Sequence, residues 1–415
     1  MLTREENDLL TQTDRGTPGG EFFRRYWQPA ALSEELKQDA PLPIRLLGED
    51  LVLYRDEQGR PGLLGLHCAH RGADLSYGRL EDGGLRCIYH GWLYDASGRC
   101  LEQPGEPAGS TFHERIRHTA YPCVEKGNIV FAYMGPGQPP VFPAYEFLDV
   151  PDEFRDVTKY FQDDNYLQGN EGNYDPQHLS FLHRFFKPGE EDWRQRMHAG
   201  DVCPTIDPVV TDFGMHIYAI RKSREKHFVK VRSFVLPSFT AIGSQGEEGY
   251  GVNWHVPIDD EHHWRFSIMF RRHGVMDMEA RRRARSGSSE NYHLTRNKAN
   301  RYLQDREEMK TETFIGLGRD FVLHDTAVTE SQGQIYDRTQ EHLGYTDGAI
   351  VAIRRQMLKA IQDVQNGDDP PHVIRDAAQN QFPDLMARDD VIPASVPWRE
   401  HWKSAPEREP AGVAG

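Results

Sequence analysis

Long apolar runs are missing from this sequence of 415 residues: no stretch reaches the roughly 18 apolar residues of a membrane-spanning helix. The first residues, MLTREENDLLTQ, are charged and lack the apolar core of a secretory signal. Positive charge is in deficit, with a formal net charge of −15, which argues against a general nucleic-acid-binding protein. Cysteine is scarce, and five cysteines are typical of a reducing compartment. We therefore expect a cytoplasmic protein that binds neither membranes nor nucleic acids.

Local composition and hydrophobic pattern divide the chain into four parts. Residues 1–27 have a helical pattern, and residues 28–140 contain short apolar runs bounded by Gly, Asp and Pro, as in a small antiparallel β domain. Met134–Tyr145 is rich in Pro and Gly and is expected to be a linker. Residues 141–400 have the pattern of a mixed α+β domain, and residues 401–415 are predicted to form a flexible tail.

Three longer elements are predicted within the second domain. Trp264–Phe270 alternates apolar with polar residues, which predicts a strand whose aromatic face covers a core or a substrate pocket. Residues 279–312 are highly charged and are expected to be helical, with an interruption at Ser286–Ser289. Residues 347–364 form a clearer helical pattern, with Thr346 as the N-cap and Gly367 at the end.

Two short pairs of ligand-type residues lie within Leu66–Asp95: Cys68 with His70, and Cys87 with His90. Zinc accepts such a mixed set in a tetrahedron. Buried cysteines with incidental histidines are the plainer alternative, but four ligand-type residues in two tight pairs make that alternative the rarer one. The C-x-H…C-x2-H pattern favours a Rieske [2Fe–2S] cluster, in which two thiolates hold one iron and two imidazoles hold the other.

A second group of ligand-type residues follows a D-x2-H-x4-H pattern formed by Asp175, His178 and His183. Two histidines and a distant carboxylate form the facial triad of non-haem Fe(II) oxygenases. Histidines five residues apart diverge by about 140° on an ideal helix, so a shared metal requires an irregular backbone such as a π-type turn. A lone His-x4-His pair is more often two unconnected histidines, but the upstream cluster motif reverses that preference. Phe321–Gly344 offers Asp325, Glu330 and Asp337 as the carboxylate.

These motifs together resemble the Rieske non-haem iron oxygenases, whose cluster motif is C-x-H-x(15–17)-C-x2-H. The similarity extends over nearly the whole chain and is greatest to the oxygenase components of the phthalate 4,5-dioxygenase subgroup. The segments that carry it, besides the cluster motif, are Gly20–Leu36, Ile44–Asp56, Tyr89–Asp95, Glu171–Arg184 and Asp337–Gly344. The resemblance implies an α+β fold, with an N-terminal antiparallel β Rieske domain and a catalytic domain whose curved antiparallel sheet wraps around a long helix (a helix-grip fold).

The resemblance also assigns site residues. It implies that Cys68 and Cys87 hold the inner iron of the cluster, and His70 and His90 the outer one. It implies that His178, His183 and Asp325, which lies 142 residues after His183, hold a mononuclear Fe(II). Glu330 and Asp337 are then expected in salt bridges or caps. Asp175 would connect His90 of one subunit to His178 of the next, although an Asp-Pro pair is also a good helix N-cap. Asn165 is expected beside the mononuclear iron, as is Glu171.

The resemblance also implies an oligomeric state, an electron-transfer partner and a reaction. The subgroup has one type of oxygenase subunit, arranged head to tail as a homotrimer or as two stacked trimers. A separate reductase with FMN and a plant-type [2Fe–2S] cluster supplies electrons from NAD(P)H. The enzymes use O₂ to hydroxylate aromatic acids or aryl ethers, and the sequence leaves dihydroxylation, monohydroxylation and ether cleavage open. An acid substrate would need a buried arginine, for which Arg221 and Arg232 are candidates, although solvated strand positions are more common. The alternatives are a Rieske electron carrier or redox sensor with a non-catalytic C-terminal domain, and a zinc-stabilised binding protein.

Overall fold

The computed structural model describes residues 1–401 except 188, 190–192, 244–247, 285 and 286, so the predicted flexible tail lies almost wholly outside the described residues. None of the helices in this described part is long and apolar enough to cross a membrane. The α-helices are α1 (Arg4–Thr11), α2 (Pro18–Phe23), α3 (Glu146–Asp149), α4 (Tyr166–Tyr174), α5 (Trp193–Gly200), α6 (Met278–Ala284), α7 (Glu308–Thr311), α8 (Phe321–Glu330) and α9 (Gly348–Gln365).

The N-terminal β domain consists of three small antiparallel sheets, with strand orders β1-β11-β10, β2-β3-β4-β9 and β5-β6-β7-β8. Its strands are β1 (Trp27–Leu32), β2 (Leu42–Leu46), β3 (Glu49–Arg55), β4 (Pro61–Gly65), β5 (Arg79–Glu81), β6 (Gly84–Arg86), β7 (Leu93–Tyr94), β8 (Cys100–Glu102), β9 (Ala120–Tyr121), β10 (Cys123–Lys126) and β11 (Ile129–Tyr133). The helical pattern predicted over residues 1–27 forms two short helices, α1 and α2, that pack against α9 of the second domain.

The second domain contains one antiparallel sheet in the order β12-β18-β17-β16-β15-β14-β13, and β19 also pairs with β15. Its strands are β12 (Arg155–Gln162), β13 (Thr205–Val210), β14 (Gly214–Lys222), β15 (Lys226–Val235), β16 (Phe239–Ile242), β17 (Gly251–Pro257), β18 (His263–Phe270) and β19 (Arg388–Pro393). The predicted fold class, an N-terminal β domain followed by an α+β domain built on an antiparallel sheet, is confirmed.

The two faces of the strands β17 and β18 differ in chemistry. Trp254 and Phe266 are register partners on an apolar face, where Trp254 lies 5.7 Å from Phe131 of the first domain. His255 and Arg265 are register partners on the opposite, polar face, which α4 covers. The predicted strand is confirmed, but its aromatic face packs in the core between the domains. The suggestion that this face lines a substrate pocket is therefore wrong.

The helix predicted over residues 347–364 is α9, which buries an apolar stripe, and Gly367 follows it with φ +90°. Its N-cap position is held by Asp347 rather than Thr346. The segment 279–312 is less helical than predicted: α6 ends at Ala284, just before the predicted interruption, but only the short α7 and turns follow it in the described residues. Side chains such as Asn297 and Asp305 accept hydrogen bonds from nearby backbone N–H groups and so favour turns there.

Candidate metal centres

The N-terminal domain carries two loops of similar construction, around Cys68 and Cys87. The N–H of Gly72 donates to the Cys68 carbonyl at 2.8 Å, and the N–H of Gly91 donates to the Cys87 carbonyl at 3.0 Å. Both glycines have positive φ, +70° and +75°, which residues with a Cβ rarely adopt. Each glycine closes a tight turn that contains the histidine of its pair.

The cysteines and histidines of these loops differ in burial. Cys68 and Cys87 are each 3% exposed, whereas His70 and His90 are exposed at the surface. The two imidazole rings lie 4.6 Å apart between centroids, and Trp92 stacks on His70 at 4.5 Å. The loops therefore present two buried thiols and two surface imidazoles on one side of the domain.

The second ligand group begins where α4 ends. Asp175 takes an extended conformation and precedes Pro176, which ends the helix. One 3₁₀ turn over His178–Ser180 follows, and the N–H of Leu182 donates to the His178 carbonyl at 2.8 Å. The predicted irregularity between His178 and His183 is confirmed, but the turn is 3₁₀ and not of the predicted π type.

This irregular segment brings His178 and His183 together, with ring centroids 5.0 Å apart. Asp325 joins them from α8, which packs against α4, and its Oδ1 lies 3.0 Å from Nε2 of His183. One ligand atom from each of the three residues lies within 4.8 Å of the other two. Among the described residues, this is the one such group of three ligand-type side chains. Two imidazoles and a carboxylate form the donor set of a facial triad.

The electrostatics of the group suit a cation. Burial lowers the pKa of His183 to about 4, so its imidazole is neutral and keeps a lone pair at neutral pH. Burial opposes ionisation of Asp325, but His183 and Arg265 outweigh it and hold the pKa of the carboxyl well below its usual range. The group therefore offers the neutral imidazole of His183 and an ionised carboxylate.

Asp175 sits beside this group rather than in it. Its Oδ2 lies 3.5 Å from Nδ1 of His178, and its Oδ1 accepts the Gln177 N–H at 2.7 Å, so it also caps the 3₁₀ turn. Burial opposes its ionisation, but hydrogen bonding and charge attraction to His178 outweigh it and lower the pKa. Asp175 and His178, with Asp325, line a cavity of about 200 Å³ between α4, α8 and α9.

The structure does not bring Asn165 to the metal group. Asn165 caps the start of α4, about 15 Å from Asp175 at the other end, given a rise of about 1.5 Å per residue. Its side chain accepts the Leu167 N–H and donates to the carbonyls of Thr11 and Asp260. These hydrogen bonds tie α4 to the N-terminal segment, which is a structural role.

Three other predicted acids are engaged in structural contacts. Glu171 forms ion pairs with Arg338 at 2.8 Å and Arg354 at 2.6 Å. As predicted, Asp337 forms a salt bridge with Arg4 at 2.7 Å. Glu330 accepts the Asp163 N–H at 3.0 Å and the Tyr302 hydroxyl at 2.5 Å. None of these contacts involves the two histidines.

Two residues near the group were not found by sequence reasoning. Arg265 is 5% exposed, and its Nη1 donates to Asp325 Oδ2 at 3.3 Å. His324 Nδ1 lies 3.1 Å from Nδ1 of His183, and His324 Nε2 lies 2.9 Å from the Gly318 carbonyl. The alternation of β18 does place Arg265 opposite the aromatic face, which is the one signal the sequence held.

Comparisons with known proteins agree with this arrangement. Residues 26–121 match the Rieske [2Fe–2S] domain, and residues 132–413 match the family described as LigXa C-terminal domain like. Phenoxybenzoate dioxygenase subunit alpha of Ectopseudomonas oleovorans is 35% identical over 88% of this chain and 87% of its own. The phthalate 4,5-dioxygenase oxygenase subunit of Pseudomonas putida is 33% identical over 97% of this chain and 95% of its own. A crystal structure of dicamba monooxygenase has the same fold, with a TM-score of 0.60, 20% identity and coverage of 84% and 99% of the two chains.

A Rieske domain joined to an antiparallel-sheet domain with two histidines and a carboxylate defines the class of Rieske oxygenase subunits. The chain belongs to the LigXa-like family of Rieske oxygenases, and it is an oxidoreductase of the oxygenase-subunit type. The resemblance drawn from its motifs is confirmed.

Proposed function

We propose that this chain is the oxygenase component of a multicomponent enzyme that uses O₂ and electrons from NAD(P)H to hydroxylate an aromatic acid or aryl ether. The observation that carries the proposal is the convergence of His178, His183 and Asp325 within 4.8 Å, in a chain that also has a Rieske domain. We assign a mononuclear Fe(II) to these three residues, whose donor set fits that ion.

The Rieske cluster is assigned to Cys68, His70, Cys87 and His90. Buried thiols and exposed imidazoles suit a cluster with an inner and an outer iron. These four residues do not gather three ligand atoms within 4.8 Å, as a single zinc ion would require. The hydroxyl of Tyr94 lies 3.2 Å from Cys68 Sγ, and a hydrogen bond to that sulfur would raise the potential of the cluster.

The two metal groups would supply electron transfer and O₂ activation, and the protein positions the groups around them. Arg265 holds Oδ2 of Asp325, and Oδ1, which faces Nε2 of His183 at 3.0 Å, is the oxygen that would bind the cation. Oδ2 of Asp175 lies 3.5 Å from Nδ1 of His178, so Nε2 would be the nitrogen of that imidazole that binds the cation. The interior between α4 and the polar face of the sheet would exclude water from the reaction.

Asp175 is proposed to link His90 of one subunit to His178 of its neighbour, in a head-to-tail homotrimer or a pair of stacked trimers. His90 is exposed, and Asp175 lines the 200 Å³ cavity beside the second group. No contact between His90 and Asp175 is found within the described part of one chain, which favours a link between chains.

The electron-transfer partner, the cellular location and the domain boundaries follow from the same family. We propose a separate reductase with FMN and a plant-type [2Fe–2S] cluster, a cytoplasmic location, and a division into segments 1–27, 28–140, 141–400 and 401–415. One relative is named an oxygenase subunit and the other a subunit alpha, which supports the need for a further component. Their named substrates, phthalate and phenoxybenzoate, support an aromatic substrate.

Metal analysis with a substrate screen tests this function. We expect about three irons per chain and a Rieske absorption spectrum, falling to about two irons with the spectrum intact in His178→Ala. NADH consumption coupled to hydroxylated product is expected with aromatic acids or aryl ethers. Two irons per chain in the parent protein, unaffected by His178→Ala, would favour an electron carrier instead.

A further inference from the structure

Two histidines lie buried beneath α4, on the polar face of the sheet. His255 is on β17 and is 1% exposed, and His263 begins β18 and is fully buried. Nδ1 of His255 lies 2.8 Å from Nε2 of His263, so the two imidazoles form a direct hydrogen bond. A Cβ at Gly169 of α4 would lie 2.7 Å from both of these nitrogens. Glycine at this position therefore allows the helix to close over the histidine pair.

The hydrogen bonds of this pair run in one direction. Nδ1 of His263 lies 2.8 Å from the carbonyl of Asp164, which can only accept, so that nitrogen carries a proton. Burial lowers the pKa of His263 to about 3 and that of His255 well below its usual range, so each imidazole is neutral and has a single N–H. Nε2 of His263 therefore accepts from Nδ1 of His255, and Nε2 of His255 keeps a lone pair.

The lone pair of His255 is directed at Asn173, near the end of α4. Nδ2 of Asn173 donates to Nε2 of His255, and it also lies 3.2 Å from the Gly169 carbonyl. Oδ1 of Asn173 accepts from Nδ2 of Asn253 at 2.8 Å. Because the amide nitrogen and oxygen of Asn173 have different partners, the orientation of its side chain is fixed. We call these hydrogen bonds the histidine network, which runs from Asn253 through Asn173, His255 and His263 to the Asp164 carbonyl.

Asn173 lies two residues before Asp175, at the start of the segment that leads to the metal group. Its backbone carbonyl accepts from Nη1 of Arg232 at 2.5 Å, and the Pro176 carbonyl accepts from Nη2 of Arg221 at 2.9 Å. Both arginines, which the sequence offered as candidates for binding an acid substrate, are buried and hold backbone carbonyls here. The end of α4 is therefore fixed to the sheet through both the side chain and the backbone of Asn173.

The same pair of strands also holds the other side of the metal group. Arg265 is the register partner of His255, and it donates to Oδ2 of Asp325 on α8 at 3.3 Å. His255 thus holds α4, which leads to His178, while Arg265 holds α8. Two neighbouring side chains on one sheet therefore set the positions of the two helices that bring the ligands together.

We propose that His255, through Asn173, positions the segment that carries His178, so that His178 and Asp325 are held at the separation a mononuclear iron requires. This inference rests on the proposed function. His255 and Asn173 are positioning residues, because they act through the backbone of α4 and not as ligands. Without the histidine network, binding of the ion would have to order the end of α4, which lowers affinity.

His255→Leu tests the inference, because it removes both hydrogen bonds of the imidazole. His255→Gln is the conservative variant, since its amide can still accept from Asn173 and donate to His263. Asn173→Ala breaks the same connection with a smaller change in volume and with a residue that favours helix. The matched control is His216→Leu, which removes a buried histidine of the same sheet whose Nε2 lies 2.8 Å from the Asp384 carbonyl.

Two measurements on the purified protein report on the iron site independently of turnover. One is the affinity of the mononuclear site for Fe(II), and the other is the electron paramagnetic resonance (EPR) spectrum of its nitric oxide complex. We expect His255→Leu and Asn173→Ala to lower the affinity about tenfold and to broaden the EPR spectrum, with an unchanged Rieske absorption. His255→Gln should keep the parent EPR spectrum and most of the affinity. His216→Leu should lose thermal stability but keep both.

Two results would overturn this inference alone. One is a parent-like iron affinity and EPR spectrum in Asn173→Ala, or in His255→Leu where that variant folds. The other is an equal loss of affinity in His255→Leu, His255→Gln and His216→Leu, which would show general destabilisation of the sheet. If His255→Leu does not fold, Asn173→Ala decides the question. A parent protein that binds no mononuclear iron would instead overturn the proposed function itself.

Discussion

The carboxylate of Asp175 lies 3.5 Å from Nδ1 of His178, and the same carboxylate lines a cavity beside that imidazole. Asp175 also ends α4 and caps the turn that carries His178. One residue therefore sets both the local backbone and the orientation of a proposed ligand, and in the proposed oligomer its remaining hydrogen-bonding capacity would serve a neighbouring chain.

Asp175→Asn should separate these roles. The amide can still accept the Gln177 N–H, so we expect both metal centres to remain loaded. Electron transfer from the reduced cluster should slow by about 10–100-fold, because the imidazole loses its anionic partner. Single-turnover oxidation of the Rieske absorption measures this rate, with Asp337→Asn as the matched surface control. An unchanged rate would refute the link.

Arg265→Gln should weaken the second metal site alone. Losing the donor at Asp325 Oδ2 leaves that carboxylate less firmly oriented and less strongly ionised. We expect iron affinity at this site to fall about 10–100-fold with an unchanged Rieske spectrum. Arg281→Gln, which removes a contact to Asp156, serves as the control. Equal iron affinity in both variants would show that Arg265 does not position the ligand.

Glu171→Gln should destabilise the catalytic domain. Arg338 is fully buried, and Glu171 is its one ionic partner in the described structure. Removing one member of a buried pair costs about 3–5 kcal/mol in the free energy of unfolding. Asp363→Asn breaks the exposed Lys359–Asp363 pair and should cost about 0.5 kcal/mol or less. Urea unfolding measures the loss of unfolding free energy in each variant. A similarly small loss in Glu171→Gln and Asp363→Asn would contradict a stabilising role for the buried ion pair.

Stability should fall in mild acid because of buried histidines. Burial lowers the pKa of His263 to about 3, against an ordinary value of 6.5. Between these values the unfolded chain binds a proton that the folded chain excludes, so stability decreases as pH falls below 6.5. At pH 5 this residue costs about 2 kcal/mol. His263→Gln should reduce the loss of unfolding free energy between pH 7 and 5, whereas His273→Gln, at an exposed histidine, should not. Parallel pH profiles of the two variants would contradict this role of His263.

Much of the fold and site could be predicted because the signals are local. The alternation in β18 and the apolar stripe of α9 repeat within a few residues, and each ligand pair lies in a single short loop. Choosing Asp325 over Glu330 and Asp337 required the resemblance, because only the folded structure brings α8 against α4.

The features of the fold and the site that were not predicted depend on contacts between residues distant in sequence, which no local pattern encodes. The Arg265–Asp325 contact joins residues 60 positions apart and exists only because β18 pairs with β17 in one register. Asn165 was misplaced because its motif position does not reveal that its amide caps α4 and binds Thr11. The charged 279–312 segment lacks helical periodicity, and its polar side chains bond the backbone in turns.

Mixed oligomers test the central claim, electron transfer between subunits, most directly. His90→Ala removes a cluster ligand, and His178→Ala removes an iron ligand, so each variant alone should be inactive. Coexpressed chains in a head-to-tail ring should pair an intact cluster with an intact iron at about one quarter of the interfaces. The account predicts that NADH-coupled hydroxylation returns to about a quarter of the parent activity in the whole coexpressed population of oligomers. Mixed oligomers that hold both variants yet stay as inactive as either variant alone would contradict electron transfer between subunits.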